Sequence, residues 1–164
     1  MKRISSLTIL LSLFALPLSA QDRNYQMAVV ENSIGAKEIR SGDYAEGIDV
    51  INNAMFVEDA HLIVAAQMNL CVAYTNLGEW QLATTACDKA VDMSQSLSKQ
   101  KSDRLNKRLA SVALSNRGVS RIKQNKFMLA KKDLNQAHKV QENPITQTNL
   151  IAFAQQILSE DADS

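Results

Sequence analysis

Hydrophobic and small residues recur along the chain in a pattern that repeats three times. Six columns stay in register, with a step of 36 residues and then one of 47. The columns are Gly35, Cys71 and Gly118; Gly42, Gly78 and Asn125; Tyr44, Trp80 and Phe127; Gly47, Ala83 and Ala130; Ile51, Cys87 and Leu134; and Ala54, Ala90 and Ala137. Larger apolar residues such as Leu70, Tyr74 and Leu77 have the spacing of one helix face. The pattern predicts three helical hairpins in an all-α chain.

Each column has a structural role in such a hairpin. Small residues on both helices let the two backbones approach closely. The turn column holds Gly or Asn, which tolerate the left-handed conformation that follows a helix C-terminus. The aromatic column begins the second helix. We predict repeats at about 28–61, 64–98 and 111–144.

The longer second step indicates an insertion between repeats two and three. Residues 92–103 are polar but contain no Pro or Gly, so they extend the flanking helices. We predict a helix that ends near Ser98 and another from about Ser102 to Gln124, with Ser102 or Asp103 as its N-cap. A one-sided helix at about 145–158 follows Asn143-Pro144 and is expected to cover the last hairpin.

The order of small, aromatic and Ala positions resembles the tetratricopeptide repeat, a helix-turn-helix unit of about 34 residues. The resemblance covers about residues 28–144 and is closest at 69–80 and 116–130, although both steps exceed the family's period. It implies a short right-handed solenoid with a capping helix. It also implies a non-catalytic adaptor or scaffold that binds a protein or peptide on its concave face.

The first twenty residues have the features of a secretory signal peptide. Lys2 and Arg3 precede an apolar run from Leu7 to Leu16, and small residues end at Ala20. This run is too short to cross a hydrocarbon core of about 30 Å. We expect cleavage after Ala20, which leaves residues 21–164 as one domain in the periplasm or outside the cell.

Candidate binding residues lie two to five positions from the small column of each first helix. They are polar: Asn32, Arg40, Asn69, Asn76, Asn116 and Lys123. An Asn side chain can hydrogen-bond both the N–H and the C=O of an extended peptide, which suits a peptide-binding groove. The alternative is an ordinary solvated helix face. We expect Asn69 and Asn116 to be exposed, so that Ala at both positions leaves folding nearly unchanged.

Charge is distributed unevenly and suggests a second function. Residues 21–97 have four basic and eleven acidic side chains, whereas residues 98–140 have twelve basic and two acidic ones. These are either solvated helix faces or a basic patch that attracts an anionic envelope lipid or polymer. The candidate residues for such a patch are Arg117, Arg121 and Lys123.

The sequence lacks the common catalytic and cofactor motifs. No phosphate-binding Gly-rich loop, HExxH, GxSxG or CxxC motif is present, and His61 and His138 do not have metal-site or triad spacing. We expect no enzymatic activity, metal or other cofactor, and no nucleic-acid partner. Self-association through the concave face is an alternative use of that surface.

Cys71 and Cys87 occupy facing columns of the second hairpin. An oxidising compartment favours a disulfide between them. Two free cysteines would also fit, because a thiol packs as a small apolar group. The sequence leaves both states open.

Overall fold

The computed structural model describes residues 25–54 and 58–162, so the signal-peptide prediction for residues 1–20 lies outside it. Within this part the protein is all-α, as predicted, with seven helices and no strand. The helices are α1 (Ala36–Ser41), α2 (Tyr44–Asn52), α3 (Ala60–Leu77), α4 (Trp80–Gln100), α5 (Arg104–Lys123), α6 (Phe127–Val140) and α7 (Pro144–Ala162). None of the helices in the described ranges is both long enough and apolar enough to span a membrane.

The helices pack in a regular order. Each helix contacts the next one along the chain, and the odd-numbered helices α1, α3, α5 and α7 also contact one another in series. Each even-numbered helix therefore packs against the odd-numbered helix before it and the one after it. Helices α3, α5 and α7 lie side by side and form a continuous row.

Helix boundaries follow the repeated columns closely. All three residues of the turn column have positive φ, with 91° at Gly42, 74° at Gly78 and 58° at Asn125. The three aromatic residues are the first residues of α2, α4 and α6. Both predictions are confirmed, because each depends on local backbone preference.

The insertion also has the predicted structure. Helix α4 ends at Gln100 and α5 begins at Arg104, with Asp103 as the N-cap. The carboxylate of Asp103 accepts a hydrogen bond from the backbone N–H of Asn106 at 2.9 Å, and this bond lowers the pKa of Asp103.

The first hairpin departs from the prediction. Its first helix was expected from about residue 28, but α1 spans only six residues, and residues 25–30 are outside any helix. Gly35 is the N-cap of α1, with φ of 71°, instead of a mid-helix residue. A Cβ at Gly35 would lie 2.6 Å from the carbonyl oxygen of Gly47, so only Gly allows this close approach.

One site between the paired helices is filled in two different ways among the three hairpins. In the first, a Cβ on Gly35 would lie 2.7 Å from Ile51 Cγ1, and in the third, a Cβ on Gly118 would lie 2.8 Å from Leu134 Cδ2. In the second hairpin a disulfide joins Cys71 and Cys87, whose Cα atoms are 4.7 Å apart. The disulfide therefore occupies the position where a glycine packs against a large aliphatic residue in the other two hairpins.

Reduction of the disulfide is expected to lower the free energy of unfolding by about 3 kcal/mol, the chain-entropy value for a loop of this size. Urea unfolding with and without reductant measures the loss. A Cys71→Ala/Cys87→Val variant keeps an apolar pair without the bond, so it should unfold like the reduced protein and ignore reductant. Two reactive thiols in denatured, unreduced protein would contradict the bond.

The column of small residues on the second helices, which includes Ala83, leads to a second prediction about stability. Ala83 has no exposed surface, so Ala83→Leu should overpack the hairpin and cost about 1–3 kcal/mol. Thermal unfolding measures this. Thr85→Leu, at an exposed position of the same helix, is the matched control and should change stability by less than about 0.5 kcal/mol. Equal melting temperatures for both variants would show that the register is wrong.

Candidate functional site

Residues 25–30, here called the strap, lie across the row of odd-numbered helices. The strap contacts each of the three hydrophobic clusters found among the described residues. Met27 and Val29 pack on the cluster around the disulfide, Ala28 and Val30 on the cluster between α3 and α5, and Tyr25 on the cluster around Phe153. The strap therefore connects parts of the core that are distant in sequence.

Three Asn side chains, one from each of α3, α5 and α7, hold the strap by its backbone. Asn116 Oδ1 accepts from the N–H of Ala28 and its Nδ2 donates to the C=O of the same residue, both at 2.8 Å. Asn149 makes the same pair of bonds to Gln26, both at 2.7 Å. We call Asn69, Asn116 and Asn149 the Asn column.

Asn69 completes the column at the end of the strap. Its Oδ1 accepts from the N–H of Val30 at 2.9 Å, and its Nδ2 donates to Ser33 Oγ at 2.8 Å. The bonded residues are thus 26, 28 and 30. In an extended chain, every second residue directs its N–H and C=O to the same edge. Two such residues are separated by about 6.6–6.8 Å along the chain. The strap is therefore an extended segment whose one edge is paired with side-chain amides.

The structure corrects the expected exposure of the predicted Asn pair. Asn69 and Asn116 bind peptide backbone, as their chemistry suggested, but both side chains are fully buried. Their burial follows from the strap, which covers the helix face that was expected to be open. The expectation that Ala at both positions leaves folding nearly unchanged is therefore abandoned.

Neither Asn149 nor the strap was predicted from the sequence to be part of the site. Asn149 lies 33 residues after Asn116, close to the period of about 34 residues in the resembled family. On α7, Asn149 bonds the strap in the same way as Asn116 does on α5. The strap has the apolar run Met27-Ala28-Val29-Val30, which is typical of a short buried strand, but it was assigned to a helix.

Among the described residues, none of the other four predicted peptide contacts forms a hydrogen bond with the strap. Asn32 is in the turn after the strap, with φ of 56°, and Arg40 forms an exposed ion pair with Glu31 at 3.0 Å. Asn76 is exposed and donates to the carbonyl oxygen of Val72 in its own helix at 2.8 Å. Lys123 is exposed at the end of α5. The structure thus brings only Asn69 and Asn116 of the predicted set to one segment.

Two of the three residues assigned to the basic patch are paired internally. Arg117 donates to both carboxylate oxygens of Asp133, at 2.8 and 3.0 Å, and Arg121 donates to one of them at 2.6 Å. Arg117 also donates to Asp88 at 2.9 Å. Asp133 is 1% exposed. Burial lowers the pKa of Arg117, but the two carboxylates outweigh it and the net shift is upward. These guanidinium groups neutralise internal acids and offer little charge to a ligand.

No protein-family model, curated protein or solved structure matches the chain. Among the described residues, no three His, Cys, Asp or Glu side chains come together in a group suited to a metal ion. The Asn column with its bound strap is therefore the best-defined candidate site in these ranges.

Proposed function

We propose that the protein is a non-catalytic adaptor or scaffold of the cell envelope that binds an extended polypeptide on the face formed by α3, α5 and α7. The observation that supports this proposal most directly is the bonding of Asn116 to both the N–H and C=O of Ala28. Because the Asn116 amide bonds only backbone groups, the same contact can form with any extended segment whose side chains fit beside it.

The arrangement of the helices supports a tetratricopeptide-like solenoid with this face as its concave side. Consecutive odd-numbered helices contact each other, and each of α3, α5 and α7 supplies one Asn to the column. Side chains from helices packed about 8–10 Å apart can reach alternate residues of one extended segment. The location in the envelope, or outside the cell, follows from the proposed signal peptide at residues 1–20.

The proposal is tested by separating the strap from the rest of the folded protein. A protease site is inserted between Asn32 and Ser33 in residues 21–164, and the chain is cut after folding. We expect a labelled peptide with the sequence of residues 21–32 to exchange into the cut protein and bind saturably. Asn116→Ala should weaken this binding by about 5- to 150-fold, the range that corresponds to loss of buried hydrogen bonds worth about 1–3 kcal/mol.

Asn76→Ala is the matched control, because this Asn is exposed on α3 and bonds only within its own helix. It should bind the peptide as tightly as the parent. A cut protein that stays helical but binds no peptide at millimolar concentration would contradict the proposal. Equal weakening by both Asn substitutions would also contradict it.

The alternative function is binding of an anionic envelope lipid or polymer by the basic third repeat. It has less support, because Arg117 and Arg121 are paired with Asp133. A salt titration distinguishes the two functions, since binding by exposed charges weakens steeply with ionic strength and amide-backbone binding is less sensitive.

A further inference from the structure

The strap has a second edge that the Asn column does not use. Residues 26, 28 and 30 face the Asn side chains, so residues 27 and 29 turn their N–H and C=O the other way. Within the described part of the chain, the backbone groups of Met27 and Val29 have no hydrogen-bond partner. An unpaired strand edge is a template for pairing with another extended segment.

A cavity of about 510 Å³ lies beside this part of the strap. Apolar side chains form most of its wall: Val29 and Val30 from the strap, Met68 from α3, and Leu105, Leu109 and Val112 from α5. Leu105 is 57% exposed, so apolar surface is left uncovered at the rim. This volume lies within the range of ligand-binding clefts.

One cation at the cavity has no acidic partner. Arg108 lines the cavity and forms no ion pair with any described residue. Helix α5 has no acidic residue. Glu31 also lines the cavity, but its carboxylate is paired with Arg40. A carboxylate on a bound segment would therefore find an unpaired guanidinium at the rim.

We propose that an extended, acidic segment of a partner polypeptide adds to the free edge of the strap as a second strand. The apolar side chains of the segment enter the cavity and its acidic side chains lie near Arg108. The inference rests on the proposed function, because it gives the partner a place on the same helix face, but it leaves the Asn column bonded to the strap. The strap then forms part of the receptor and is not displaced.

The test uses ¹⁵N-labelled residues 21–164 and an acetylated, amidated eight-residue peptide of alternating valine and glutamate. We expect the peptide to shift the amide signals of Met27 and Val29 and to slow their hydrogen exchange at least about tenfold. The amides of Ala28 and Val30 should stay protected. A valine-lysine peptide should bind more weakly.

Two further copies of the acidic peptide are N-methylated, one at every valine and the other at every glutamate. Pairing through one edge requires that only one of them loses binding. If both or neither lose it, the strand-pairing geometry is wrong. This control needs no change to the protein.

Val29→Pro removes an edge N–H but keeps the extended backbone that proline allows, and should abolish binding. Val29→Ala is the control that retains the N–H and should still bind. Arg108→Glu should weaken binding up to about fivefold, the effect of one exposed ion pair.

Three results would overturn the inference. The first is the absence of shifts at Met27 and Val29 with millimolar peptide. The second is loss of protection at Ala28 and Val30 when the peptide binds, which would mean displacement of the strap and would support the proposed function alone. The third is protection of Met27 and Val29 that rises with protein concentration without peptide, which would identify a second copy of the chain as the occupant.

Discussion

Replacement of both Asn69 and Asn116 with Ala is expected to lower the free energy of unfolding by about 2–6 kcal/mol. Each substitution removes bonds to the strap and leaves buried backbone N–H or C=O groups unpaired, at about 1–3 kcal/mol each. The total stability of a domain is about 5–15 kcal/mol, so the effect is large. Urea unfolding measures the loss, and hydrogen exchange at Ala28 and Val30 shows whether the strap has detached.

Asn76→Ala is again the control, because its side chain is exposed and should cost less than about 0.5 kcal/mol. If the double variant is as stable as this control, the strap is not held by the Asn column. If stability falls but Ala28 and Val30 stay protected, the Asn residues stabilise the helices and the strap is held by its side chains.

Local signals in the sequence were enough to predict most of the helix boundaries. The positive-φ turns, the aromatic helix starts and the Asp103 cap each depend on a few neighbouring residues. The strap could not be predicted in this way. Its bonds to Asn69, Asn116 and Asn149 span 39, 88 and 123 residues, and no short-range pattern records such pairings.

The chemistry of the candidate site was predicted better than its surroundings. Asn69 and Asn116 were selected because an amide bonds both backbone groups, and the structure shows this bonding. Their burial depends on a segment that was predicted to be helical. Arg117 likewise looked free because Asp133 lies on the other helix of its hairpin, 16 residues later. The same offset relates Gly118 to Leu134, so the repeat itself contained the signal.

Asp133→Ala is expected to lower the free energy of unfolding by about 3–5 kcal/mol, because it leaves Arg117 and Arg121 without their buried partner. Urea unfolding measures the loss. Asp88→Ala is the control, since the side chain of Asp88 is 44% exposed and its ion pairs should be worth at most about 1 kcal/mol. Similar losses in both variants would contradict a buried ion-pair network.

The ion pairs of Arg117 and Arg121 with Asp133 also limit which variants can test the binding of an anionic ligand. Glu at positions 117 and 121 would put two carboxylates beside Asp133, so a loss of binding in that variant would report unfolding. Lys123, Lys131 and Lys132 are exposed, and reversal of their charges should leave stability within about 0.5 kcal/mol for each change. If that triple reversal abolishes binding to anionic lipid vesicles in a folded protein, the basic surface binds them. If binding persists, the basic surface of these lysines is only a solvated helix face.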